Sequence, residues 1–180
     1  MSGERNLPKL LQNMKPAMHD GVFVFCSIPA DEEIPTAPRP VHLFREREGT
    51  TLVMRREEAE SAGLPYQFAS RLITLTVHSS LEAVGFLAAI TGRLAQAGIS
   101  VNAVSAYYHD HLFVPEHRAD EALQLLQEMS LSTRSAAQCR CRMGRAKRNP
   151  SMLARDGFRL PILRGASNWP DGQITSDLRK

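Results

Sequence analysis

Residues 72–114 combine two different hydrophobic periods, and this combination restricts the fold more than any other feature of the chain. Alternating, mostly β-branched residues at the start predict a strand. The apolar spacing then becomes helical from Val84 until Gly98, a residue typical of a helix end. Alternation returns twice, and a second stretch of helical spacing follows. The predicted elements are strands at 72–77, 100–108 and 111–114, and helices at 84–97 and 116–129.

The order strand, helix, strand, strand, helix predicts a ferredoxin-like βαββαβ unit that lacks a clear final strand. A crossover through a helix makes the first two strands parallel, and the hairpin adds an antiparallel one. Loss of the final strand would leave an unpaired edge. The first half has similar elements, with helices expected at 7–18 and 56–62, a strand at 22–28 and a hairpin at 41–55. The sequence therefore predicts an α+β fold of two ferredoxin-like halves with antiparallel sheets.

The run VGFLAAITGRLAQAGISVNAV, preceded by the loop VHSS, resembles the ACT domain, a small regulatory domain that binds amino acids. Together with YYHDHLFVP it is similar to a bacterial group of short, free-standing proteins with two ACT-like halves. The regulatory ends of aspartate kinases and the animal cytosolic arginine sensors resemble this sequence more distantly. The resemblance implies ACT-like halves at 1–65 and 68–130 and does not extend to 131–180. The chain departs from the commoner ACT loop, which has Pro-Gly where residues 81–85 stand.

The loop at 79–86 and the helix that follows it form the candidate ligand site. Serines are good N-cap residues, and the free N–H groups of a helix N-terminus attract a carboxylate. Carbonyl groups of the facing strand at 102–105 would accept from an amino group. The resemblance implies an amino acid bound between two domains, against Ser79, Ser80, Ala83, Val84, Gly85, Phe86, Asn102, Ala103 and Val104. The alternative is a capped helix that packs on a sheet and binds nothing.

Other chemistries have weaker support in the sequence. His109 and His111 flank Asp110, but a metal site normally needs three or four ligands. The pattern favours a polar hairpin turn in which Asp110 accepts from backbone amides. Cys139 and Cys141 lack a second pair of ligands. The sequence has no Gly-rich phosphate loop, nucleophile elbow or paired carboxylates, so we expect no metal, no cofactor and no catalytic activity.

Charge divides the chain at about residue 130. Residues 131–180 carry a net charge of +8 and residues 1–130 a net charge of −5. The Arg-rich composition of the tail predicts disorder, and without interleaved aromatic residues it gives little support to nucleic-acid binding.

No apolar run reaches the ~18 residues of a membrane span, and the first residues lack the apolar region of a signal peptide. We therefore expect a cytoplasmic protein.

The sequence thus favours a non-catalytic sensor of a free amino acid, acting as a homodimer or on a partner protein. Two alternatives stay open. One is an interaction or dimerisation module without a small ligand, and the other is a nucleic-acid binder that uses the basic tail. Deletion of 131–180 would separate the last from the others, because only nucleic-acid binding should be lost.

Overall fold

One seven-stranded antiparallel sheet forms the centre of the molecule. The structure, a computed structural model, describes residues 3–34 and 39–143. Six strands lie in the order β3-β4-β2-β5-β7-β6, and β1 also pairs with β5. The strands are β1 Pro16–Met18, β2 Phe23–Pro29, β3 His42–Arg45, β4 Gly49–Arg55, β5 Tyr66–Leu75, β6 Asn102–Ser105 and β7 Asp110–Pro115. The helices are α1 Leu7–Asn13, α2 Arg56–Ser61, α3 Phe86–Gln96 and α4 Ala119–Met143, with a 3₁₀ turn at Glu116–Arg118.

Strand β5 belongs to both halves of the sheet. Its first part pairs with β2, and its second part, from Ser70, pairs with β7. The pairing with β2 shifts register between Phe23 and Phe25, and Phe68 opposite has a positive φ of 56°. A non-glycine residue in this conformation is uncommon and is typical of a bulge that redirects a strand. The bulge therefore lies just before Ser70, the residue that pairs with both β2 and β7 on opposite edges of the strand.

The second half receives its final strand from the N-terminal segment. Strand β1 pairs antiparallel with β5, Pro16 opposite Leu75 and Met18 opposite Ile73, on the edge that β7 does not use. The prediction of an unpaired edge is therefore wrong for β5, because β1 pairs with that edge. The single helix predicted over 7–18 is also wrong, because α1 ends at Asn13 and the chain then becomes extended. Pro16 explains the break, since proline disfavours helical backbone at the residue before it.

Two cores lie on the helical side of the sheet. The larger contains Ile73, Leu75, Leu112 and Val114 from the sheet, under α1, α3 and α4. The smaller lies under α2 and contains Val24, Cys26, Ile28, Leu52, Met54 and Ala59. Apolar side chains of residues 7–18 pack in the larger core with side chains from residues 73–126, although the sequence places 7–18 in the first half, 1–65. The two halves are therefore interleaved along the chain. Cys26 is 2% exposed and is a free thiol.

Helix α3 buries only part of the face that the helical spacing predicts. That spacing predicts a stripe of Val84, Leu87, Ala88, Thr91, Leu94 and Ala95. Leu94 is buried and Leu87 packs against the core, whereas Val84, Ala88 and Ala95 are exposed. Phe86 and Ile90, which lie outside the predicted stripe, complete the buried face. The helix begins at Phe86, so Val84 lies outside it. The larger apolar side chains occupy the core side because they remove more apolar area from water.

Helix α4 continues to Met143, although the sequence predicts an end at Met129 and a disordered tail from 131. Its buried face continues with polar residues, which is why the apolar period missed it. The Ser130 hydroxyl lies 3.1 Å from the Met14 carbonyl, and Arg134 Nε donates to the Gln12 carbonyl at 2.7 Å. These bonds satisfy carbonyls at the end of α1, which have no partner within a helix. The predicted disorder of 144–180 lies outside the described residues.

Candidate ligand-binding site

A cavity of about 120 Å³ opens at the N-terminal end of α3. The loop after β5, the first turn of α3 and the facing ends of β6 and β7 form its walls. The lining residues are Ser79, Ser80, Leu81, Ala83, Gly85, Phe86, Leu87, Ala88, Ser105 and Asp110. Serines and an aspartate meet apolar side chains here, which is the mixed lining typical of small-molecule sites.

The loop reaches α3 through a glycine. Gly85 is the N-cap residue, with φ of 86°, a left-handed conformation that glycine adopts without strain. Ser80 does not cap α3. Its hydroxyl accepts from the Glu82 N–H at 3.2 Å and its carbonyl from the Ala83 N–H at 2.8 Å, so it stabilises a turn within the loop. The expectation that a serine caps this helix is therefore wrong, although the helix begins at Phe86, close to the predicted start at 84.

The first turn of α3 presents unused donors to the cavity. The Ala89 N–H donates to the Gly85 carbonyl at 2.9 Å, which is the first bond of the helix. The N–H groups of Phe86, Leu87 and Ala88 donate to no acceptor within residues 3–34 and 39–143. Since these three residues also line the cavity, their donors and the helix dipole favour an anion there.

A buried carboxylate stands in the same cavity. Asp110 is 4% exposed, and its Oδ2 accepts from the Ser79 hydroxyl at 2.8 Å. Its other oxygen accepts a short hydrogen bond from the Ser105 hydroxyl. The expectation that Asp110 bonds backbone amides of the turn is therefore wrong. As the first residue of β7 it points to the helical side of the sheet, towards the loop and not into the hairpin.

Five of the nine predicted residues come together at the cavity, namely Ser79, Ser80, Ala83, Gly85 and Phe86. Val84 is 85% exposed and lies outside it. None of the three predicted β6 residues lines it. Asn102 pairs with Phe113 and Val104 with His111, which places both on the other face of the sheet. Ser105 and Asp110 were missed. They lie opposite each other in the β6–β7 pairing, so both point to the same face of the sheet.

An N-terminal strap, residues 3–7, holds the cavity loop from outside. The Glu4 N–H donates to the His78 carbonyl at 2.9 Å, and the Ser80 N–H donates to the Glu4 carbonyl at 3.0 Å. A Cβ atom on Gly3 would lie 2.5 Å from the Ser80 nitrogen, so the strap and the loop touch through their backbones. The Arg5 guanidinium also pairs with the Glu82 carboxylate.

His19 and His111 lie on the opposite face of the sheet from Asp110. His19 Nε2 and His111 Nδ1 each share a hydrogen bond with Thr74 Oγ1, at 2.8 and 2.9 Å. Burial lowers the pKa of His111, and the neighbouring His109 and His19 lower it further. Within the described residues no cluster of three or more His, Cys, Asp or Glu side chains is arranged to hold a metal.

Two larger depressions, of about 540 and 390 Å³, lie on the first half of the sheet. The first is bordered by exposed residues such as Glu32, Glu33 and Glu46. The second is bordered by Phe25, Cys26 and Tyr66. Neither contains a buried charged side chain, so the cavity at α3 has the chemically more selective lining.

Two family models, both described as the ACT domain, match residues 2–71 and 67–128. The chain belongs to the ACT domain family. This confirms the resemblance and, with the structure, the α+β fold of two ferredoxin-like halves. ACT domains are regulatory modules that bind small molecules and are not catalytic, so the family gives this chain a regulatory role.

Solved structures show the same fold. A Vibrio cholerae protein of unknown function, described as a possible transport protein, is 43% identical, with a TM-score of 0.59 over 69% of this chain and 95% of that one. An Agrobacterium tumefaciens protein is 17% identical, with a TM-score of 0.57 over 65% and 89%. The regulatory subunit of aspartate kinase from Thermus flavus is 11% identical, with a TM-score of 0.50 over 63% and 95%. No curated protein is significantly similar to this chain.

Among the described residues, no helix is both long and apolar enough to span a membrane.

Proposed function

We propose that this ACT protein is a non-catalytic cytoplasmic sensor that binds a free amino acid in the cavity at α3. The observation that carries the proposal is the set of unused N–H groups of Phe86, Leu87 and Ala88, which open onto a cavity. A ligand carboxylate placed there would accept these donors and interact favourably with the helix dipole. An ACT domain supplies the regulatory context for such a ligand.

The size of the cavity restricts the ligand. At about 120 Å³ it offers the space of roughly four water molecules, at ~30 Å³ each. It is smaller than the ~300–1,000 Å³ of sites for drug-sized ligands. A small amino acid fits within this space. The side chain of a larger one would project past Leu81, which lines the cavity and is 66% exposed.

The polar residues of the cavity favour binding over catalysis. A serine nucleophile needs an adjacent base, most often an imidazole. The cavity hydroxyls of Ser79 and Ser105 donate to Asp110, and within the described residues no histidine nitrogen bonds to either. Binding would act on a homodimer or a partner protein by favouring one packing arrangement over another.

A thermal-shift screen of the full chain against the twenty amino acids tests the proposal. A ligand at ~100 times its dissociation constant adds about 2.7 kcal/mol to the free energy of unfolding, which raises the melting temperature measurably. One or a few amino acids should produce such a shift. Twenty unshifted transitions from a folded sample would refute the proposal.

A matched pair of variants tests the location of the site. Ala83→Asp adds a carboxylate to the cavity wall, where it would repel a ligand carboxylate. Ala95→Asp adds the same charge to an exposed position near the other end of α3. We expect the first variant to lose the ligand-induced shift and the second to keep it. Equal shifts in both would place the ligand elsewhere.

A protein-interaction or dimerisation module is the second candidate function, and exposed apolar residues near the cavity favour it. Val84 is 85% exposed, and Tyr107 and Tyr108, in the β6–β7 turn, are 66% and 61% exposed. Edge strand β6 beside them also has one unpaired side within the described sheet. Light scattering of the wild type and of Val84→Lys would test this role, with a concentration-dependent dimer expected only for the wild type.

A further inference from the structure

We infer that Asp110 recognises a positively charged ammonium group, so that the site binds ligands with a free amine more tightly than ligands without one. This inference rests on the proposed function and deepens it, because a carboxylate alone would satisfy the α3 donors. It assigns a specificity-determining role to a residue for which the sequence predicts only a structural role in the hairpin turn.

Among the described residues, no positively charged side chain forms an ion pair with Asp110. The carboxylate is 4% exposed. The two histidines beside it in the chain have their polar contacts elsewhere, since His111 bonds Thr74 on the other face and His109 Nδ1 lies 3.3 Å from the Val77 carbonyl. A buried, unpaired carboxylate is costly, and a ligand cation would relieve that cost.

The two hydroxyl partners leave room for a ligand. Each oxygen of the carboxylate accepts one hydrogen bond, from Ser79 and from Ser105. A carboxylate has about four acceptor positions, so about two stay free. The two serines lie on different elements, the loop and β6, and together they fix the carboxylate on the cavity wall. They are positioning residues for Asp110.

The cavity therefore carries opposite preferences at two of its walls. The first turn of α3 donates hydrogen bonds to an anion, and Asp110 attracts a cation. An α-amino acid at neutral pH carries both charges on adjacent groups. A 2-hydroxy acid or an N-acetylated amino acid keeps the carboxylate and lacks the ammonium group, so it would leave Asp110 unpaired.

A comparison of ligands on the wild-type full chain provides the first test. The amino acid that gives the largest thermal shift would be titrated by calorimetry beside its 2-hydroxy acid and its N-acetyl derivative. We expect both analogues to bind roughly 10- to 100-fold more weakly, as for the loss of a charge-assisted hydrogen bond. Equal affinity of the hydroxy acid would overturn the inference and leave the cavity assignment standing. Absence of binding by all three to a folded chain would overturn the proposed function and this inference with it.

The variant Asp110→Asn provides the second test. Asp120→Asn, at an exposed position of α4, is the charge-matched control. In Asp110→Asn the affinity for the amino acid should fall about 10- to 100-fold, while the affinity for the 2-hydroxy acid changes little. The variant should therefore no longer discriminate between the two ligands. The control should behave as the wild type. A purely structural Asp110 would weaken both ligands equally, and that result would overturn the inference. If Asp110→Asn does not fold, the ligand comparison on the wild type still decides.

Discussion

The contact between the N-terminal strap and the cavity loop leads to a sharp prediction at Gly3. A Cβ atom at this position would lie 2.5 Å from the Ser80 nitrogen and 2.6 and 2.7 Å from the carbonyl carbon and oxygen of Ser79. All three atoms are backbone, so no side-chain rotation can relieve the overlap. Gly3→Ala must therefore displace the strap from the loop.

The size of the effect follows from the bonds that this displacement would break. The strap and the loop share two backbone hydrogen bonds, Glu4 to His78 and Ser80 to Glu4. At ~0.5–1.5 kcal/mol each, their loss lowers the free energy of unfolding by about 1–3 kcal/mol. For a chain of this size each kcal/mol corresponds to roughly 2–4 °C, so the melting temperature should fall by roughly 2–12 °C.

Calorimetry and hydrogen exchange would measure the two parts of this prediction. The amide of Ser80 should exchange faster in Gly3→Ala, because its acceptor is the Glu4 carbonyl. Gly92→Ala is the matched control. Its Cβ would meet nothing within 4 Å in the interior of α3, so it should stabilise the protein by roughly 0.5–1 kcal/mol. An unchanged melting temperature and an unchanged Ser80 exchange rate in Gly3→Ala would refute the reasoning.

Two further predictions concern other parts of the fold. Arg134→Ala should lower the free energy of unfolding by about 1–2 kcal/mol in chemical denaturation, because Arg134 donates to the Gln12 carbonyl. Ser132→Ala, at an exposed position, should leave the free energy of unfolding unchanged. Equal stability of the two variants would contradict the assigned bond. His111 has a pKa below its unfolded value of 6.5, so the unfolded state binds more protons and stability falls as the pH drops through about 6.5 and below. His111→Gln should therefore show a smaller loss of melting temperature between about pH 7.5 and 5.5 than the wild type, and parallel curves would refute this.

The sequence predicted the order of most elements in the second half because each element has a clear local period. It did not predict the position of the final strand. Residues 16–18 are only three positions long and pair with Ile73–Leu75, more than fifty residues later. A local period contains no information about such a partner. The apolar residues of 7–18 predict one helix because those of α1 and those of β1 contact the same core.

The candidate site was predicted in part, for a similar reason. The loop residues that line the cavity were found because small residues before a helix are a local signal. Ser105 and Asp110 were missed, since their position depends on which face of β6 and β7 points to the helices. Once the pairing of Ser105 with Asp110 is known, alternation places both on the cavity side and Asn102 on the other.

The strap gives the cavity a physical connection to the rest of the fold. The strap leads into α1, and Ser130 and Arg134 of α4 bond the carbonyls at the end of α1. Ligand binding and docking of the strap on the loop are two equilibria, and any coupling between them is reciprocal. A ligand that stabilises the docked strap must therefore bind more tightly when the strap is docked. The factor by which Gly3→Ala weakens ligand affinity should equal the factor by which the ligand slows Ser80 amide exchange through strap release. Affinity unchanged by Gly3→Ala, alongside ligand-slowed exchange at Ser80, would violate that equality and exclude the strap as the coupled element.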